Sequence, residues 1–149
     1  MEQVLERLQG LVGTETGVSD WMEISQERVN AFADATEDHQ FIHVDEEMAK
    51  QTPFGGTIAH GFLTLSLSVA LGADVPLDVG NFKMAINYGL DKVRFPAPVP
   101  VGSRIRQRVS LTGVEAVPGG IHVVQTMTTE IEGQEKPAMV AERLTRLYY

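Results

Sequence analysis

The residues best suited to chemistry lie between positions 32 and 61, where Asp38 and His43 supply a carboxylate and an imidazole five residues apart. On one continuous helix, residues five apart point about 140° away from each other. Both can reach one water molecule only if the helix is interrupted, which the pattern of residues 37–41 permits. A carboxylate that accepts a proton and an imidazole that orients the same water favour water chemistry on an activated carbonyl compound. The alternative is that Asp38 only ends a helix and His43 is a polar loop residue.

A second candidate is the pair His60-Gly61, which opens a long stretch without charged side chains. The first turn of a helix has backbone N–H groups without helical partners. Because Gly61 has no Cβ, a carbonyl oxygen can approach its N–H closely, and one such donor is worth roughly 10²–10³ in rate. The alternative is that Gly61 only permits tight packing and that His60 is a buried, hydrogen-bonded side chain.

A metal site is a third possibility for the same segment. His39 and His43 are four residues apart, as two ligands on one helical face would be, and Asp45 is nearby. This arrangement requires the helix to continue through Ile42, and only the distant His60 offers a further ligand. We therefore predict no metal.

The composition limits the class of protein. The chain has 149 residues, 43% of them hydrophobic and 21% charged, which suits one globular domain spanning residues 1–149. It has no cysteine, which excludes thiolate chemistry, and its net charge of −8 argues against nucleic acid or an anionic membrane as partner. The N-terminal residues do not resemble a secretory signal, so a cytoplasmic location is expected.

The remaining sequence predicts the elements around these residues. Residues 58–72 lack Lys, Arg, Asp and Glu and end at a glycine, which predicts a helix buried on every side. Four later segments, near 82–95, 104–116, 121–132 and 138–148, are rich in β-forming residues and are separated by Gly and Pro. Without strand–helix alternation, the pattern indicates an α+β fold in which an antiparallel sheet wraps around one helix.

A row of basic residues lies on one of these predicted strands. Arg104, Arg106 and Arg108 alternate and therefore share one face of the strand. Such a row is most often solvated. It could also line a phosphate-binding edge or a subunit contact.

These motifs resemble the MaoC-like dehydratases, the (R)-specific enoyl-CoA hydratases of the hot-dog fold. Between positions 32 and 62, the residues that carry the resemblance are Phe32, Ala33, Ala35, Thr36, Asp38, Ile42, His43, Asp45, Ala49 and the run Ala59-His60-Gly61-Phe62. The segment 86–99, with its Lys92-Val93-Arg94-Phe95-Pro96 run, is similar to the branch that includes nodulation protein N.

The resemblance implies a hot-dog fold, a homodimer and reversible syn addition of water to trans-2-enoyl-CoA. Asp38 and His43 would hold and activate the water, and the Gly61 N–H would bind the thioester oxygen. The acyl chain would lie beside the central helix, and CoA, which is part of the substrate, would extend towards basic residues at the dimer edge, with Arg94 assigned to substrate binding. No metal or organic cofactor is implied.

Two features depart from the family pattern. Gln40 and Phe41 stand where members commonly have Asn-Pro, and with His60 they are assigned to substrate binding. Ser66 and Ser68 are candidates for a serine that some members place at the site. The alternatives in function are a hot-dog acyl-CoA thioesterase, with the same pocket and oxyanion donor, and an acyl-CoA-binding module without catalysis.

Overall fold

The computed structural model describes all residues from 1 to 149. The helices are α1 (Glu2–Gln9), α2 (Gln26–Thr36), α3 (Phe41–Val44), α4 (Glu46–Ala49) and α5 (Gly61–Ala73). The strands are β1 (Thr14–Val18), β2 (Met22–Glu23), β3 (Met84–Arg94), β4 (Arg104–Val117), β5 (Gly120–Ile131) and β6 (Met139–Tyr148).

The strands form one antiparallel sheet in the order β1-β4-β5-β6-β3, with β2 also pairing with β4. Side chains along β4 and β5 alternate between buried and more exposed, as expected where one face of a sheet covers the core. The strand bounds agree with the four predicted segments within two residues at each end, and the α+β, hot-dog architecture is confirmed. The outer edge of β3 has no strand beside it.

Helix α5 packs against β4, β5 and β6. Its Leu63 and Leu71 join Ile105 and Ile131 of the sheet in the main hydrophobic cluster. The prediction that this helix begins at 58 and is buried on every side was wrong in two respects. Residues 58–60 are not helical, since His60 caps α5 with an extended backbone, and one side of α5 is open, with Phe62 exposed to 69% of its surface.

Local hydrogen bonds explain where α2 and α4 begin. The Ser25 hydroxyl accepts from the Arg28 N–H at the start of α2, and the Asp45 carboxylate accepts from the Met48 N–H at the start of α4. Both are helix caps of the type that sequence predicts. No helix of the structure has both the length and the apolar character needed to cross a membrane.

Candidate active site

The backbone breaks between Asp38 and His43, as the spacing requires. Helix α2 ends at Thr36, and Glu37 adopts a left-handed conformation with φ 63°. Helix α3 begins only at Phe41, so the two side chains are not on one helical cylinder. Together with side chains from α5 and the end of β3, they line a cavity of about 240 Å³, whose walls are Asp38, His43, His60, Gly61, Phe62 and Phe95.

The ring of His43 is buried and held in one tautomer. Its Nδ1 lies 2.6 Å from the carbonyl oxygen of Ile58. Because a carbonyl can only accept, Nδ1 carries the proton and Nε2 of the neutral ring keeps a free lone pair. Burial lowers the pKa of His43 despite the opposing effects of the Ile58 hydrogen bond and the Asp38 charge. His43 is therefore neutral near pH 7 and presents Nε2 as a proton acceptor.

His60 connects the two groups. Its Nε2 donates to the backbone carbonyl of Asp38 at 3.0 Å and lies 4.0 Å from an oxygen of the Asp38 carboxylate. Its ring stacks on His43, with centroids 3.8 Å apart and planes inclined by 24°. His60 thus fixes the positions of both residues while it also lines the cavity.

The Asp38 carboxylate remains accessible, with its side chain 53% exposed. One carboxylate oxygen of Asp38 and one ring nitrogen each of His43 and His60 all lie within 4.8 Å of one another. Two acceptors that share one water molecule are about 4.5 Å apart when each hydrogen bond is about 2.8 Å long. The spacing suits a bridging water, and it is also short enough for a cation.

The other metal arrangement does not form. His39 lies 2.9 Å from the Asp34 carboxylate, and the Asp45 carboxylate caps α4. Neither joins His43, because α3 is only four residues long and does not continue the helical face on which the prediction depended.

Gly61 opens α5 at the cavity wall. The N–H groups of Leu63 and Thr64 bond to the His60 carbonyl, whereas those of Gly61 and Phe62 have no protein partner. A Cβ at Gly61 would lie 3.2 Å from the ring of Phe95. Gly61 therefore permits close packing against Phe95 and also presents an unpaired N–H, and its role as a donor to a substrate carbonyl stays a prediction.

Three of the predicted substrate-binding residues lie away from the cavity walls. Gln40 precedes α3 as its N-cap and offers its backbone N–H to the Asp38 carboxylate. Phe41 is 37% exposed, and the Arg94 guanidinium donates to the neighbouring Val93 carbonyl. Their roles in binding stay predictions. Of the four residues predicted to bind substrate, only His60 lines the cavity.

Sequence reasoning missed part of the site. An adjoining cavity of about 350 Å³ shares His43, Gly61 and Phe95 with the first and extends over Phe54 and Thr64. Phe95 immediately follows β3 in a Pro-rich segment, and this aromatic residue at the end of a strand was its only signal. Nothing in the pattern indicated Gln26, which donates to the His43 carbonyl at 2.7 Å and accepts from Thr57 at 2.6 Å.

The arginine row of β4 is neutralised by carboxylates. Arg104 pairs with Glu132, Arg106 with Glu130, and Arg108 with both Glu130 and Glu15. These ion pairs account for the alternation seen in the sequence.

Comparison with known proteins defines the class. The MaoC like domain matches residues 7–134, and the chain belongs to this family, as its motifs predicted. The 3-hydroxyacyl-thioester dehydratase Z of Mycobacterium tuberculosis (strain ATCC 25618 / H37Rv) is 55% identical over 93% of this chain and 92% of that protein. Nodulation protein N of Rhizobium leguminosarum bv. viciae is 45% identical over 93% and 87% of the two chains. The structure of an (R)-hydratase from A. caviae involved in PHA biosynthesis superposes with a TM-score of 0.74, at 27% identity over 91% of this chain and 96% of that one.

Proposed function

We propose that this protein is an (R)-specific enoyl-CoA hydratase, a hydro-lyase that reversibly converts trans-2-enoyl-CoA into (R)-3-hydroxyacyl-CoA. The observation that carries the proposal is the convergence of the Asp38 carboxylate, the His43 ring and the unpaired Gly61 N–H on one cavity. The relatives, a 3-hydroxyacyl-thioester dehydratase and an (R)-hydratase, support the same chemistry.

The geometry suggests how water would be added. A water molecule donates one O–H to Asp38 and the other to the free Nε2 of His43, which leaves an oxygen lone pair for the β-carbon of the enoyl group. As the bond between the water oxygen and the β-carbon forms, the Asp38–His43 pair takes one proton from the water. Electron density moves at the same time to the thioester oxygen. The Gly61 N–H stabilises that enolate oxygen. The proton then returns to the α-carbon on the same face, so the addition is syn.

The proposal includes the organisation of the protein. We propose one domain over residues 1–149, a homodimer joined through the free edge of β3, and a location in the cytoplasm. The acyl-CoA thioester is the substrate, and neither nucleic acid nor a membrane is a partner, in keeping with the net charge of −8.

The first test is hydration of crotonyl-CoA, followed as loss of enoyl absorbance, by the wild-type protein and by Asp38→Asn. The amide cannot accept a proton, and a general acid–base group usually contributes roughly 10²–10⁴ in rate, so we expect a fall of that size. Asp34→Asn is the matched control, because its carboxylate lies on α2, four residues before Asp38, and bonds to His39 outside the cavity. Equal rates for Asp38→Asn and the wild type would remove Asp38 from the mechanism.

The same assay separates the alternative functions. A thiol-reactive dye detects free CoA, which a thioesterase releases and a hydratase does not. Tight acyl-CoA binding without turnover at any chain length would instead identify a binding module.

We propose turnover without a metal or organic cofactor. The cluster of Asp38, His43 and His60 is the place where a cation would bind, so the test is directed at it. Dialysis against EDTA should leave the rate of crotonyl-CoA hydration unchanged. Loss of activity that a divalent cation restores would contradict this part of the proposal.

A further inference from the structure

A charged side chain without a counter-ion lies between α5 and the sheet, far from Asp38 and His43 along the helix. Arg143 of β6 belongs to no ion pair. Its one hydrogen bond is donated by Nη2 to the side-chain oxygen of Gln125, at 2.7 Å. Its Nε is buried without a partner. An arginine has five N–H donors, so most of the hydrogen-bonding capacity of this guanidinium is unused.

The surroundings of Arg143 are polar but contain no carboxylate in contact. Gln125 is 6% exposed, and the fully buried Gln107 donates to the Ser68 carbonyl of α5. Glu142, the neighbouring acid on β6, pairs with Lys92 instead. Burial lowers the pKa of Arg143, which reflects the cost of desolvating its charge. An unpaired charge is unfavourable even where it is only partly buried, as Arg143 is, and a bound anion would relieve that cost.

Residue 72 makes room for this arrangement. A Cβ on Gly72 of α5 would lie 3.3 Å from Nη1 of Arg143 and 3.5 Å from Nε2 of Gln107. The glycine therefore lets the guanidinium lie against the helix, where Nη1 has no hydrogen-bond partner.

Four cavities border α5 between the proposed reaction centre and Arg143. The first turn, with Gly61 and Thr64, borders the two cavities beside His43. Farther along, a cavity of about 360 Å³ is lined by Ser68 and Val69, and one of about 540 Å³ by Val69 and Gly72. Arg143 lines both of these last two cavities. Eight residues separate Gly61 from Val69, which is about 12 Å of helix.

We propose that Arg143 is a specificity-determining residue that binds a carboxylate at the far end of the acyl chain. This inference rests on the proposed hydratase function and names its substrate class: monothioesters of dicarboxylic acids, with the thioester at Gly61 and the free carboxylate at Arg143. A planar guanidinium binds a carboxylate through two parallel hydrogen bonds, a geometry that a methyl end cannot use.

The test compares two substrates of equal length, the CoA thioesters of trans-2-decenoic acid and of trans-2-decenedioic acid. In the wild type we expect kcat/KM to favour the carboxylate-ended substrate about tenfold or more, the usual effect of a charge-assisted hydrogen bond. Arg143→Met should abolish or reverse this ratio, and Arg143→Lys should keep part of it. Because the ratio is taken within each protein, a general loss of folded enzyme cancels.

Arg146→Met is the matched control. Arg146 lies three residues farther along β6, stacks on Tyr88 and lines neither of these two cavities, so its ratio should equal that of the wild type. A wild-type enzyme that prefers the methyl-ended substrate, with a ratio that Arg143→Met does not change, would overturn the inference.

A binding measurement keeps this inference separate from the proposed function. Decanedioate should raise the melting temperature of the wild type more than decanoate does, and Arg143→Met should lose the difference. If the wild type hydrates crotonyl-CoA but shows neither preference, the hydratase stands and the role of Arg143 fails. If it binds decanedioate selectively but hydrates nothing, the anion site stands and the hydratase fails.

Discussion

The chemistry of His43 depends on a single hydrogen bond that its ring donates to a residue fifteen positions away. The Ile58 carbonyl holds the proton on Nδ1, and the stacked ring of His60 limits rotation of the imidazole. His60 in turn holds the backbone of Asp38. Three side chains are thereby placed so that a neutral imidazole and an accessible carboxylate face the same space.

The protonation of His43 predicts how activity depends on pH. Its pKa is lowered below the ordinary value of 6.5, so the neutral, proton-accepting form persists in acid where a free histidine would be charged. We expect kcat/KM for crotonyl-CoA to fall only below pH 6.5. His43→Gln should remove the histidine-dependent part of the acid limb and lower the rate by roughly 10²–10⁴.

The same shift affects stability. The unfolded chain takes up a proton near pH 6.5 and the folded chain does so only at lower pH, so the free energy of unfolding decreases as the pH falls between these two values. Circular dichroism at each pH distinguishes unfolding from loss of catalysis in the folded protein. An acid limb centred above pH 6.5 in folded protein would contradict the assignment.

Two element boundaries create the site. The left-handed Glu37 ends α2 just before Asp38, and the extended His60 starts α5 just before Gly61. At the first boundary the chain turns so that Asp38 and His43 meet. At the second, backbone N–H groups are left without helical partners at the cavity wall.

Gly61→Ala tests the start of α5. The new methyl group would meet the Phe95 ring at 3.2 Å, so the ring must shift by a few tenths of an ångström at the cavity wall. We expect kcat to fall by roughly 10-fold or more as the oxyanion donor is obstructed, an effect bounded by the 10²–10³ of losing such a donor outright. Steady-state kinetics with crotonyl-CoA measure it.

Gly56→Ala is the control for this variant. A Cβ there would meet nothing within 4 Å, and its backbone is not left-handed. It should retain wild-type kinetics. Unchanged kcat in Gly61→Ala would show that close approach at this residue is not needed.

On the scale of the whole molecule, the unpaired edge strand β3 carries a row of exposed apolar side chains. The strand carries Met84, Ile86 and Tyr88, each between 39% and 54% exposed. A long, apolar edge strand readily pairs with another chain unless charges or bulges protect it, and the charged residues and bulges of β3 all lie after Asn87. The proposed homodimer would cover this edge in both copies.

Ile86→Lys tests the dimer. A lysine on the β3 edge opposes burial of that edge in a dimer interface, and Arg146, the register partner of residue 86, adds a like charge. We therefore expect the variant to sediment at half the mass of the wild type. Val12→Lys, a substitution of a residue 41% exposed outside the strands, should leave the mass unchanged. A wild-type protein that sediments as a monomer at all concentrations would exclude the proposed assembly.

The sequence by itself determined the features that depend on local patterns. The later strands, the uncharged helix and the interruption between Asp38 and His43 follow from periodicity and from residues adjacent in the chain, because local backbone preference shows directly in composition. The family, and with it the fold class, followed from motifs of the same short range.

Only the tertiary structure decided which distant residues meet. The hydrogen bond from His43 to Ile58, the Phe95 ring over Gly61 and the unpaired Arg143 beside Gly72 join segments up to 71 positions apart. Periodicity along the chain does not encode such contacts, because they form only when the helix packs against the sheet. For the same reason Gln40, Phe41 and Arg94, chosen by their places in the chain, lie away from the cavity walls that the packing formed.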